Sequence, residues 1–542
     1  MPHTVYGAPI GAMTYVVALL ASMGGFLFGW DTGQIADLLV MKDFTYRFAQ
    51  YPQPDGSVKW NSWIQGLVVS LLSAGGIFGA VLGAPLTDKY GRRYAISVGC
   101  LIFTVGLIIQ IASEYSWVQM MIGRLVVGIS IGWLSSAVPV YQSETVPRQV
   151  RGAMVGSYQL LITLGILLSY CACYGTRNYA GSSQWRIPIG IGFAWGIVLG
   201  MGILFCPESP RWLAKQGRFD EAKKVLATMR GVDESNKFVL TEFYEIKQEI
   251  IDEKKLKKLG WVDCFRMEHK ALYRTLMGIL LQMGQQLTGA NYFFYYGATI
   301  FKPVQIFPDH EKNSYVAQII LGSVNVFTTF PGLYWLDRFG RRKCLGLGSL
   351  WMTIWLIVFA TAGVLGGEWL DGEYQITSKS TGTLMICSAC FFILGFASTW
   401  GPGVWSSIAE NAVPELRAKQ MALATASNWT WNFLLAFFTS PITSDIDFYY
   451  GYVFVGCCLA SFLLVYFCLY ETANLDLEAV QAMYEDKHLK PWKSATWTPP
   501  GYESRTSIKH DVEHNIAVID HMDATGDEIA PEASSQKIES SV

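Results

Sequence analysis

The sequence predicts an all-α polytopic membrane protein, with twelve transmembrane helices in two six-helix halves and a helical linker on the cytoplasmic side. Three observations lead there. Only 15% of the 542 residues are charged and 51% are hydrophobic, whereas a soluble domain carries about 25% charged residues. The deficit is uneven: long apolar runs alternate with short charged clusters, and a helix needs about 20 apolar residues to cross the hydrocarbon. Finally, one eleven-residue motif occurs twice, once in each half of the chain.

The apolar runs lie near 12–40, 63–87, 94–113, 118–141, 152–175 and 186–206, then near 272–300, 314–336, 344–366, 382–409, 420–441 and 448–470. They are read as helices because a membrane strand would be only about 10 residues long and would alternate in polarity. The first run is longer than a signal-peptide core and lacks a convincing cleavage site, so it is expected to stay as the first helix. Between the halves, "EAKKVLATMR" and "EFYEIKQEIIDEKKLKK" combine helical spacing with Glu–Lys pairs. Short amphipathic helices are expected there. The chain thus divides into an N-terminal half (1–206), a linker (207–270), a C-terminal half (271–470) and a polar tail (471–542), the last expected to be mostly disordered.

Twelve spans put both termini on one side. With the N-terminus in the cytoplasm, the short inner connections hold Lys89, Arg92, Arg93, Arg148, Arg151, Arg338, Arg341, Arg342, Lys343, Arg417 and Lys419. The outer connections hold Lys42, Arg47, Lys59, Arg177, Arg186, Lys302, Lys312 and Lys379. The basic linker widens that margin in the direction of the positive-inside rule.

Several classes drop out. A net charge of −2 leaves no electrostatic footprint for nucleic acid. Most of the eleven cysteines sit in apolar runs, and Cys171 and Cys173 have no second pair to complete a zinc pattern. No histidine falls within a span, which argues against a histidine proton relay. Neither a phosphate loop, a metal set nor a nucleophile constellation is present, so no enzymatic activity, metal or cofactor is expected. The sequon at Asn428 is mid-span and is dismissed.

The repeated motif reads "GAPLTDKYGRR" at 83–93 and "GLYWLDRFGRR" at 332–342, each following the second span of its half. A second echo follows each fourth span: Glu144 to Arg151 in "ETVPRQVR" and Glu410 to Arg417 in "ENAVPELR". Matching motifs at matching positions argue for duplication, and for a substrate site near the midplane between two rocking halves. Asp88 and Asp337 each end a helix at the inner interface, beside the Arg pairs Arg92–Arg93 and Arg341–Arg342. Topological anchoring is the plainer reading of any single Arg. The whole repeated pattern favours a gate of salt bridges.

These motifs resemble the sugar porter family of the major facilitator superfamily, in particular the fungal monosaccharide (hexose and glucose) transporters. The resemblance spans about 12–480 and is carried by "GGFLFGWDTG", "DKYGRR", "GRLVVGISIGWLSSAVPVYQSETVPRQVRG", "PESPRWL", "QQLTGANYFFYYG", "DRFGRR", "WGPGVWSSIAE" and "ATASNWTWNF". It implies the major facilitator fold and extends the inner gate to Glu208 in "PESPRWL". Two departures stand out. "YETANLDLE" keeps only Glu471 and Thr472 of the family's last inner motif, and Asp37 occupies a position where Gly is common. Asp37 is expected to be interfacial.

A sugar offers hydroxyls that donate and accept, so its site needs uncharged amides and an aromatic face. The resemblance places Gln159, Gln285, Gln286, Asn291, Asn325, Trp405 and Asn428 on the sugar. A lone intramembrane amide more often joins helices, and for Asn325 and Asn428 that alternative stays open. Gln285, Gln286 and Asn291 share a glycine-bearing segment of the kind that forms a discontinuous, cavity-lining helix. Trp405, beside two glycines and Pro402, suggests a broken helix with an aromatic plate, against the plainer role of a core Trp.

Asp31 lies inside the first span, where a carboxylate costs about 2.5–3.5 kcal/mol on insertion scales. Arg124 is the lone charge of the fourth span, and in the family it approaches the first-helix acid. Burial favours the protonated acid and a nearby Arg the ionised one, so a pair that exchanges a proton as the halves rock would couple sugar to protons. The rival is a fixed salt bridge. The expected function is import of a monosaccharide, glucose or a related hexose, across the plasma membrane by alternating access with proton symport. The expected partners are sugar, proton and lipid, with a monomeric carrier. The alternatives are a passive facilitator and a non-transporting sugar sensor on the same fold. The short tail favours transport.

Overall fold

The computed structural model describes residues 3–499 apart from 6–7, 55–57, 256–258, 305–309, 371–372, 377, 474, 476 and 487. The N-terminal half consists of α1 (Ala12–Leu38), a short α2 (Lys42–Phe48), α3 (Ser62–Tyr90), α4 (Arg92–Ile111), α5 (Trp117–Thr145), α6 (Arg148–Thr176) and α7 (Ser183–Gly202). Three linker helices follow: α8 (Pro210–Lys215), α9 (Phe219–Arg230) and α10 (Lys237–Lys255). The C-terminal half comprises α11 (Ala271–Leu287), α12 (Ala290–Phe301), α13 (His310–Phe339), α14 (Arg341–Gly366), α15 (Lys379–Gly395), α16 (Gly401–Asn411), α17 (Arg417–Ile446) and α18 (Tyr450–Cys468). Counting α11–α12 and α15–α16 as one span each gives twelve.

Local sequence explains the ends. Asn61 caps α3 by accepting from the N–H groups of Trp63 (3.0 Å) and Ile64 (3.4 Å). Gly91 and Gly340, both at positive φ, form the sharp turns from α3 to α4 and from α13 to α14, which is why each repeated motif has Gly before its Arg pair. The two broken spans have separate causes. Gly289 adopts φ 91° between α11 and α12. In the other, residues Phe396–Trp400 widen into a π-turn ahead of Gly401 and Pro402, a feature frequent at functional sites.

Glycines also set how closely the helices approach. A Cβ on Gly79 of α3 would lie 1.9 Å from the Ile129 carbonyl oxygen of α5, and one on Gly29 of α1 would lie 2.0 Å from that of Ile162 on α6. Membrane helices associate through such contacts. Gly79→Ala is therefore expected to lower the thermal midpoint of the detergent-purified protein, since overpacking costs about 1–3 kcal/mol. Gly456→Ala, where nothing lies within 4 Å, should leave it unchanged. Equal midpoints would remove this account of the packing.

We call the side bearing the linker the inner side. There the linker is tied to the first span: Gly11 N–H (2.9 Å) and Thr14 Oγ1 (2.7 Å) both donate to the Met229 carbonyl of α9. Three two-stranded hairpins, one at His3–Ile10 and two in the 51–59 and 368–375 connections, were not expected from the sequence. The tail also departs from expectation as far as residue 499. Helix α19 (Leu477–Glu485) and a 3-10 turn at Pro491–Thr496 pack against the inner end of the C-terminal half. Val480, Met483 and Tyr484 are buried with Tyr470, so this segment has an apolar face that the polar composition of the whole tail hides. The expected disorder of 500–542 falls outside the described residues.

The halves meet on the outer side. Ser440 Oγ of α17 donates to Gln65 Oε1 of α3 (2.9 Å), and Tyr170 of α6 donates to the Phe294 carbonyl of α12 (3.3 Å). The inner ion pairs Arg92–Glu144 and Arg341–Glu410 instead stay within one half each. The outer side is therefore shut.

Candidate translocation site

In the outer part of α1, Asp31 is fully buried, and so is Arg124 of α5; Asp31 Oδ2 and Arg124 Nη1 lie 3.3 Å apart. Asp31 Oδ1 accepts from Gln34 Nε2 at 2.9 Å. Arg124 Nε and Nη2 are buried without hydrogen-bond partners among the described residues. The guanidinium thus makes one contact where it could make a bidentate pair, and the carboxylate has a second donor that would hold it if Arg124 withdrew.

The amides gather in the C-terminal half around the two breaks. Gln285 donates both Nε2 hydrogens, to the carbonyls of Trp400 (2.8 Å) and Gly401 (2.9 Å). These carbonyls sit where the α15–α16 span departs from the α-helical pattern. Asn428 Nδ2 of α17 donates to Gln285 Oε1 (2.9 Å) and to Gln282 Oε1 (2.6 Å). Gln282, fully buried, was missed in the sequence, although it precedes Gln285 by three residues and so shares its helix face. In this conformation both N–H groups of Gln285 are used within the protein, so it ties α11, α16 and α17 together, and Oε1 keeps a second lone pair.

Across the α11–α12 break, Asn291 Nδ2 donates to Gln286 Oε1 (2.5 Å). That leaves Gln286 Nε2 and Asn291 Oδ1 without partners among the described residues. Gln159 of α6 and Trp405 of α16 are half-buried, with no hydrogen bond between described residues. Asn325 of α13 is buried. Beside this set runs a second polar thread that the sequence reading missed. Ser73 Oγ (2.7 Å) and Tyr295 Oη (3.0 Å) both donate to Asn432 Oδ1, linking α3, α12 and α17. Phe28 and Trp429 meet across the halves with ring centroids 5.7 Å apart.

The inner clusters repeat almost atom for atom. Arg92 pairs with Glu144 through Nε (2.8 Å) and Nη2 (2.9 Å), and with Asp88 at 3.0 Å. Glu208 accepts the backbone N–H groups of Arg92 (2.9 Å) and Arg93 (3.3 Å), and Ser209 Oγ donates to Glu144 (2.6 Å). In the second half Arg341 pairs with Glu410 (2.9 Å). Glu471 accepts from the N–H groups of Arg341 (3.0 Å) and Arg342 (3.1 Å), and Thr472 Oγ1 donates to Glu410 (2.6 Å). The two residues that survive in "YETANLDLE" therefore make the same contacts as Glu208 and Ser209. Burial raises the Glu208 carboxyl above its ordinary range, against the pull of the N–H groups of Ser209, Arg92 and Arg93. No ion pair of Arg417 is seen among the described residues, and the side chains of Arg151 and Asp337 lie outside them.

A carboxylate that accepts two N–H groups fixes the start of α4 or α14, and charge-assisted hydrogen bonds contribute about 1.5–3 kcal/mol each. Glu208→Gln and Glu471→Gln are each expected to slow sugar exchange by about tenfold at unchanged protein level. An effect confined to one half would break the symmetry argument.

Two six-helix halves, shut on one side and lined by amides next to a dry ion pair, define a membrane carrier of the major facilitator type. The family model for "Sugar (and other) transporter" matches residues 17–484, and the chain belongs to that family. It is 44% identical over 500 residues to hexose transporter 2 of Kluyveromyces lactis, a match covering 92% of this chain and 86% of the relative. High-affinity hexose transporter HXT6 of Saccharomyces cerevisiae is 42% identical over 92% of this chain and 85% of its own. The fold is similar to the xylose transporter XylE from E. coli in a partially occluded inward-open conformation. There the TM-score is 0.70, with 22% identity over 85% of this chain and 99% of that one. It is also similar to XylE, described as a proton:xylose symporter, bound to 6-bromo-6-deoxy-D-glucose (TM-score 0.69, 22% identity, 88% and 99% covered).

Proposed function

We propose that this protein is a monomeric plasma-membrane importer of a hexose, glucose or a close relative, working by alternating access with both termini in the cytoplasm. The observation that carries the reading is the pair of amides at the α11–α12 break, Gln286 and Asn291, joined to each other at 2.5 Å; Trp405 and Gln159 are assigned to the same site. Gln286 and Asn291 keep one donor and one acceptor for sugar hydroxyls. Gln285, Asn428 and Gln282 position the broken helices around them, and buried Asn325 of α13 is assigned to the site with them. Hexose as substrate draws support from the names of the yeast relatives.

Coupling to protons is assigned to Asp31 and Arg124. Protonation of Asp31 cancels the pair and leaves Gln34 and Arg124 to reorganise, so α1 and α5 move apart more easily when the acid is neutral. Release of the proton restores the pair. A second reading has one observation in its favour. The pair is fully buried and Gln34 braces it, as suits a permanent tie, and carriage would then be passive. Uptake of several sugars by reconstituted protein, with and without an inward proton gradient, separates the two. Accumulation above equilibrium supports symport, equilibration alone supports the passive carrier, and sugar binding without uptake supports a sensor.

A further inference from the structure

Asp37 was expected at the membrane interface, yet it is fully buried, with both carboxylate oxygens lacking any hydrogen-bond partner among the described residues. It lies nearly two turns beyond Asp31 on α1, toward the outer side, next to a residue in the seam between the halves. Its neighbour Ala36 packs with Ile166 and Tyr170 of α6 and with Ala298 of α12, which belongs to the other half. Tyr170 of this cluster donates across the seam to the Phe294 carbonyl at 3.3 Å.

Among the described residues, no hydrogen bond or ion pair reaches the Asp37 carboxyl. The titratable groups of α6 nearest Asp37 are Tyr170, Cys171 and Cys173, of which Cys171 is exposed, and from α12 Tyr295 comes next, near Tyr170. On α2, Asp43 and Arg47 pair with each other at 2.7 Å. No cation among the described residues compensates Asp37. An ionised carboxylate enclosed in this way is strongly disfavoured. A carboxylic acid needs only an acceptor for its one hydrogen, and Gln34 Oε1, one turn earlier on the same helix, is a buried acceptor without a donor among the described residues.

We propose that Asp37 is a second proton-binding site, a latch of the outer gate. In the open state it faces water and ionises. Closure of α1 and α6 onto α12 takes up one proton from the outer side, and the acid keeps that proton while the gate is shut. The proposal rests on the alternating-access reading above but not on proton transfer at Asp31.

The test reads the gate directly. Gln65→Cys places a thiol in the outer seam, and a membrane-impermeant maleimide applied to intact cells measures its alkylation. The parent protein without the added cysteine gives the background. Thiol chemistry itself varies with pH, so the quantity is the ratio of the rate in the Asp37-bearing protein to that in the same protein carrying Asp37→Asn. Between outer pH of about 5 and about 7.5 this ratio is expected to rise severalfold, since the ionised fraction grows by up to tenfold per unit. Asp37→Glu should keep the wild-type slope, and Asp37→Ala replaces the Asn variant if that one fails to reach the membrane. A ratio independent of pH overturns the latch. Repeating the series with Asp31→Asn separates the two acids, because the latch predicts the same slope there. Loss of sugar uptake in any variant bears on the carrier reading and leaves the labelling result intact.

Discussion

In Asp31→Asn, sugar accumulation driven by an inward proton gradient is expected to disappear while exchange of sugar between equal pools persists. The Asn side chain keeps the shape and the acceptor for Gln34 but binds no proton, so the carrier equilibrates sugar instead of concentrating it. The substitution also leaves Arg124 buried without its anion. Breaking a buried pair costs about 3–5 kcal/mol, so lower folded yield is expected alongside, and exchange per folded molecule is the quantity to compare. Asp31→Asn together with Arg124→Met removes the stranded charge and should recover yield without recovering accumulation. Accumulation that survives in either variant rules out Asp31 as the coupling site.

The second large effect is expected at the α11–α12 break. Asn291→Ala removes one ligand-facing acceptor and the donor that holds Gln286, and Gln286→Ala removes the other half of that pair. Each lost hydrogen bond to a neutral hydroxyl is worth about 0.5–1.5 kcal/mol, so each variant should weaken apparent sugar affinity by about tenfold. Gln285→Ala should behave differently. It strands the carbonyls of Trp400 and Gly401 and leaves Asn428 Nδ2 with Gln282 as its one remaining acceptor, so its main effect is expected in the amount of folded carrier. Affinity unchanged in both Asn291→Ala and Gln286→Ala would place the sugar elsewhere.

Much of the fold was legible because the bilayer allows few solutions. Apolar runs of the right length, separated by charged clusters, locate the spans, and Gly289 and "WGPG" mark the two that break. The inner clusters were legible as a repeated motif, but not their wiring. Arg92, rather than Arg93, reaches Glu144, and Glu208 is held by backbone N–H groups, which leave no trace in side-chain identity. Glu471 and Thr472 looked like the remnant of a motif. Their geometry depends on only two side chains, so the lost remainder matters less than it appeared. Gln282, Asn432 and Ser73 were passed over because each looks like ordinary helix-joining polarity until three helices converge on it. Asp37 shows the opposite failure. A carboxyl near a helix end reads as interfacial, and only the packing of α6 and α12 over it shows otherwise. The docking of α19 depends on an apolar stripe too short to register within a polar tail.

The most direct measurement uses purified protein in sealed liposomes with a pH indicator outside and no initial proton gradient. Hexose added outside is allowed to run downhill. Proton coupling predicts that the outer medium turns alkaline as sugar enters, that the signal is abolished by a proton ionophore, and that it is absent in Asp31→Asn while sugar still equilibrates. Sugar entry without alkalinisation in the wild-type protein would contradict it and leave the Asp31–Arg124 pair as a tie between two helices.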